Sequence, residues 1–108
     1  MPLEIGVLLV TTKDYMTIDQ VAEAFIKGQR AQSHNSKTDG QTYWLHDNNI
    51  ARKGAGGSVI INWCGWYTPT TANHLNSIAK AYGVSHRFSR KLAQDGNIST
   101  EILYNGLN

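Results

Sequence analysis

The sequence predicts an α+β fold: one domain, with a mainly antiparallel sheet packed by two helices, in the order β-α-β-β-β-α-β-β. Three observations predict it. Two stretches carry apolar residues at helical spacing, and each begins on a Thr and closes near a Gly (17–30 and 68–83). Between them, three short runs at strand spacing are joined by brief turns rich in Asp, Asn and Gly. The chain of 108 residues is long enough to bury one core and too short for two.

The first element is a strand over Leu3–Val10, a short apolar run rich in branched side chains. Thr17-Ile18-Asp19-Gln20 then has the form of a capping box, with Gln three residues after the capping Thr. Ile18, Val21, Ala22, Phe25 and Ile26 mark the buried face of a helix reaching about Gly28 to Arg30. Residues 30–40 are polar and without periodicity, and they read as a loop ended by Asp39-Gly40.

Thr42–His46 is a strand, Asp47-Asn48-Asn49 a turn and Ile50–Lys53 a second strand. Gly54-Ala55-Gly56-Gly57 is another turn. It leads into Val59–Cys64, whose alternate residues are apolar on both faces. That pattern predicts a central strand covered on both sides, with Trp63 in the core. Connections this short predict an antiparallel meander.

Gly65 lets the chain turn, and Thr68-Pro69 starts the second helix: Thr caps, and Pro suits the first position, where an N–H has no partner. Thr71, Leu75, Ile78, Ala79 and Tyr82 share its buried face, and Gly83 fits the left-handed residue that closes it. Val84, His86 and Phe88 alternate with Ser85, Arg87 and Ser89 as a strand. Gln94-Asp95-Gly96-Asn97 reads as a hairpin turn into a last strand, Ile98–Tyr104.

Composition narrows the function. Apolar residues make 41% and charged residues 17%, which fits a globular chain rather than a disordered one. A single cysteine excludes an internal disulfide and fits a reducing compartment. No run approaches membrane-spanning length, and Met-Pro-Leu-Glu lacks the layout of a signal peptide, so a cytoplasmic protein without membrane contact is expected. The net charge of +2 is uneven: residues 1–23 carry −3 and the remainder +5. Such an excess favours an anionic partner, or is simply a solvated surface.

Catalytic spacing is missing. Cys64 lies mid-strand between Trp63 and Gly65 with no base beside it, which reads as a buried structural thiol. His34, His46, His74 and His86 show no zinc spacing, and the carboxylates form no close pair. Lys53-Gly54-Ala55-Gly56-Gly57-Ser58 departs from the phosphate-loop pattern and precedes a strand. No metal, cofactor or catalytic residue is therefore expected.

Two stretches are candidates for binding. At the corner after the central strand, Trp66 and Tyr67 offer aromatic surface, and Thr70 and Thr71 offer hydroxyls at a helix start. The alternative reading is a cap plus aromatics that complete the core. From Lys80 to Lys91 there are four cations and no acid, and Arg87, Arg90 and Lys91 on a hairpin would form a stripe for phosphates. Solvated residues blunting a sheet edge explain the same charges.

F-I-K-G-Q (25–29), T-D-G (38–40), L-H-D-N-N-I-A (45–51) and G-W-Y-T-P-T-T-A-N-H-L-N-S-I (65–78) resemble, in that order, a family of small bacteriophage proteins. The resemblance covers about residues 22–83 and rests on L-H-x-N-x-I-A together with G-W-x-T-x-T-T-x-x-x-L-N. It implies a viral setting, hence the host cytoplasm, and carries over no catalytic residues. The leading expectation is a non-enzymatic binding protein that inhibits a host or defence component, by holding a protein target or sequestering a nucleotide signal. The alternative is a nucleic-acid or nucleotide binder that uses the 80–91 hairpin and the 66–71 corner. A homo-oligomer is compatible with either.

Overall fold

The computed structural model describes residues 15–105, so the strand expected over Leu3–Val10 lies outside the described residues. Helix α1 (Ile18–Lys27) carries the expected capping box: Thr17 Oγ1 accepts the Gln20 N–H at 3.1 Å, and Gln20 Oε1 accepts the Thr17 N–H at 2.9 Å. It buries Val21, Ala22, Ala24 and Phe25 and closes on a left-handed Gly28. Helix α2 (Pro69–Tyr82) is capped by Thr68 and closes on a left-handed Gly83.

The sheet has six strands among the described residues, in sequence order and all antiparallel. They are β1 (Ala31–Gln32), β2 (Ser36–Thr38), β3 (Thr42–Leu45), β4 (Asn48–Lys53), β5 (Val59–Asn62) and β6 (Thr100–Leu103). The expected meander is β3-β4-β5. Its first turn is His46-Asp47, both with positive φ (50° and 69°), as a two-residue hairpin of the mirror-image type requires. Tyr43 pairs with Ala51 and Trp44 with Asn49, which leaves Ile50 as the extra residue of a bulge. Ile50 and Ala51 are consequently both buried.

Four expectations are corrected. Residues 30–40 are not a plain loop, because β1 and β2 form a hairpin there. Its inward residues are hydroxyls that serve each other: Ser33 and Ser36 Oγ lie 2.6 Å apart, and Ser33 Oγ accepts the Ser36 N–H at 3.0 Å. A strand that buries Ser and Thr has no apolar alternation to announce it. Residues 84–89 form no strand and lie outside the sheet. The Asn76 side chain takes the place of a neighbouring strand there, accepting the Phe88 N–H at 2.6 Å and donating to its carbonyl at 3.1 Å. A third helix, α3 (Arg90–Asp95), follows on a Ser89 cap, so the 94–97 turn ends a helix instead of joining two strands.

The fourth correction concerns β5. Val59, Ile61 and Trp63 are fully buried, as expected, but Ile60 is half-buried and Asn62 exposed. Among the described residues, the helices cover one face of the sheet. On that face, Phe25 of α1, Leu75 and Ile78 of α2, and Tyr43, Ile50, Ile61 and Trp63 make the core. The helices are also clasped to each other: Asp19 accepts from Ser77 Oγ at 2.5 Å and from Lys80 Nζ at 3.2 Å.

Candidate functional site

β5 ends at Asn62, and the chain reverses through Cys64 (φ 55°) and Gly65 (φ 76°). Trp66 donates its N–H to the Trp63 carbonyl at 2.9 Å, which fixes the corner, and its side chain is 55% exposed. The β3–β4 turn stands opposite. Cys64 ties the two together: its Sγ–H donates to the Asn49 carbonyl at 3.1 Å, and its N–H donates to Asn62 Oδ1 at 2.7 Å.

Between them lies a groove of about 470 Å³. Leu45, His46, Asn48 and Ile50 line one side, and Trp66, Thr68, Thr70 and Thr71 the other. The bulge turns Ile50 inward and so supplies part of the apolar floor. His46, Asp47 and Cys64, which border this region, hold left-handed backbones that cost side-chain-bearing residues about 1–2 kcal/mol each. Strain of that kind gathers at binding sites, where the surrounding structure enforces it.

None of the eight lining residues carries a fixed charge. The start of α2 is already served by its own cap. Thr68 Oγ1 accepts the Thr71 N–H at 3.1 Å, the two hydroxyls lie 3.1 Å apart, and Pro69 has no N–H to offer. The groove thus combines an apolar floor, an aromatic wall and a neutral polar rim. That chemistry suits an apolar side chain better than a phosphate.

In the core of the same α2–sheet junction, Tyr43, Ser36, Ser33 and His74 form a buried polar chain. His74 is 1% exposed, and burial, with a smaller contribution from His46, pushes its pKa down to about 4. Burial pushes the Tyr43 hydroxyl up to about 12. Both groups are neutral at physiological pH.

Of the residues expected to bind, Trp66 and Thr70 are exposed on the groove, and Thr71 is buried in its wall. Tyr67 turns away: its ring stacks on Trp63 at 5.5 Å, and its hydroxyl donates to the Ile98 carbonyl at 2.9 Å. Arg87, Arg90 and Lys91 are not on a hairpin. Arg87 lies in the 84–89 stretch outside the sheet, whereas Arg90 and Lys91 open α3, where Lys91 pairs with Asp95 at 3.7 Å. Lys80 is engaged with Asp19. Cys64 is half-buried in a turn instead of mid-strand, and burial raises its thiol pKa. Among the described residues, no three His, Cys, Asp or Glu side chains form a group that could hold a metal ion.

Binding chemistry alone did not single out Leu45, His46, Asn48 and Ile50. All four belong to L-H-D-N-N-I-A (45–51), and the other four belong to G-W-Y-T-P-T-T (65–71). Two stretches on which the phage resemblance rests therefore supply every residue of the groove. None of the described helices is long and apolar enough to cross a membrane. A family model described as Kyanoviridae Gp96 protein matches residues 14–99. No curated protein and no solved structure matches the chain.

Proposed function

The chain belongs to the Kyanoviridae Gp96 protein family, a family of phage proteins, and from that premise we propose that it acts by binding rather than by catalysis. In this reading the Trp66 groove takes an apolar side chain of a host or anti-phage defence protein, and occupancy inhibits that protein. One observation carries the reading: Trp66, 55% exposed, forms the wall of an uncharged groove floored by Leu45 and Ile50. An exposed Trp beside a preformed apolar recess is the kind of anchor that dominates protein interfaces. A protein target is favoured over a nucleotide because no fixed cation lines the groove. The inhibitory role rests on the viral setting, by analogy with small phage proteins that act by binding.

The experiment is comparative capture from infected cells with three tagged forms: the parent, Trp66→Ala and Leu92→Ala. Leu92 is exposed on α3, away from the groove, and serves as the control. The reading expects one stoichiometric protein on the parent and on Leu92→Ala that is depleted at least about tenfold on Trp66→Ala. Equal recovery on all three would contradict it, and so would a nucleotide recovered in place of a protein.

A further inference from the structure

We infer that the outer edge of β6, unpaired among the described residues, pairs with β6 of a second copy, joining two six-stranded sheets around Ile102. The register fixes which backbone groups are free. Ile61 pairs with Glu101 and Val59 with Leu103, and the Trp63 N–H donates to the Ser99 carbonyl at 2.8 Å. Hydrogen-bonded pairs alternate along an antiparallel ladder. Ser99, Glu101 and Leu103 therefore spend their backbone groups on β5, while Thr100 and Ile102 turn theirs outward.

The edge lacks several of the features by which solitary edges avoid pairing. Thr100–Leu103 contains no Pro, no Lys and no bulge. Its one charge, Glu101, is held by His86 at 3.2 Å. Ile102 is 50% exposed, and Tyr104 just beyond it 66%. Ile102 lies beside the half-buried Ile60 on the sheet face opposite the described helices.

Self-pairing fits this edge. An antiparallel two-fold at Ile102 sets Ile102 against its own copy, Thr100 against Tyr104 and Glu101 against Leu103. No charge meets a like charge, and the outward groups of Thr100 and Ile102 fall in hydrogen-bonding positions.

Sedimentation equilibrium of the intact chain tests the inference. The parent is expected at twice its 12.0 kDa mass at micromolar concentrations. Ile102→Pro removes only an outward N–H, so it should keep the melting transition and sediment as a monomer. Should that variant lose its fold, Ile102→Lys carries the same expectation. In a Cys64→Ser background, Ile102→Cys should form an intermolecular disulfide on mild oxidation, because directly opposed Cα atoms lie about 5.5 Å apart. A monomeric parent, a dimer that survives both edge variants, or no cross-link would each overturn the inference.

Discussion

The Tyr43 hydroxyl lies 2.7 Å from Nδ1 of His74, and this contact joins the middle of the sheet to α2. Tyr43 also donates to Ser36 Oγ at 3.2 Å. One phenolic proton cannot serve both partners, so Nδ1 of His74 carries its own hydrogen and donates it to Tyr43. Burial, rather than this hydrogen bond, makes the neutral imidazole the form this core accommodates.

A pH dependence follows. The folded pKa of His74, about 4, lies below the ordinary 6.5. Between those values the unfolded chain takes up a proton that the folded chain refuses. Stability is therefore full above about pH 6.5 and declines as the pH falls toward 4, by roughly 3 kcal/mol for this group. The Asp19 carboxyl, held low by Ser77 first and then Lys80, is lost only at lower pH. Urea melts at pH 7.5 and 4.5 should show the decline, and His74→Gln should flatten it. A parent with equal midpoints at the two pH values would contradict the burial of a neutral His74.

Trp63 is expected to be the most costly single truncation near the corner. It is fully buried, 5.5 Å from the Tyr67 ring and 6.2 Å from Phe88. Its Nε1–H has no protein partner among the described residues, so the stability it contributes comes from packing rather than hydrogen bonding. Trp63→Ala should destabilise by roughly 3–5 kcal/mol. A melting temperature equal to the parent's would place this residue outside the core.

Cys64 should react slowly. Its thiol is half-buried, donates to the Asn49 carbonyl and has its pKa raised by burial, all of which lower the thiolate fraction. A thiol reagent at pH 8 should label the native protein far more slowly than the unfolded chain. Cys64→Ser should keep both the fold and the binding, because a hydroxyl can donate to the same carbonyl. Equal labelling rates in the two states would reopen a chemical role for this residue.

What the sequence made legible was local. Thr17, Gly28, Thr68, Pro69 and Gly83 mark helix ends by their own backbone chemistry, and the structure keeps every one of them. The short turns between 42 and 62 likewise specify neighbours in the sheet. The failures were tertiary. The β1–β2 hairpin is held by Ser33 and Ser36, which resemble loop residues until each finds the other's hydroxyl. Phe88 is fixed by Asn76 from another element, so a stretch that alternates like a strand never joins the sheet. At the groove, Trp66 was visible as an exposed corner residue. Ile50 was not, because only the bulge against Tyr43 and Trp44 turns it inward. Tyr67 misled because its hydroxyl is satisfied by a carbonyl 31 positions away.

The most direct test of the account is the affinity of Trp66→Ala for the protein captured by the parent, measured by calorimetry beside a thermal melt of each form. The account predicts a loss of at least about tenfold, near 1.4 kcal/mol, with a melting temperature close to the parent's. Trp66 is 55% exposed, so removing it should leave the core that Trp63 occupies intact. Full affinity in a folded Trp66→Ala would place the contact surface elsewhere, and a variant that unfolds would make the corner part of the core; either result contradicts the claim that Trp66 is the anchor.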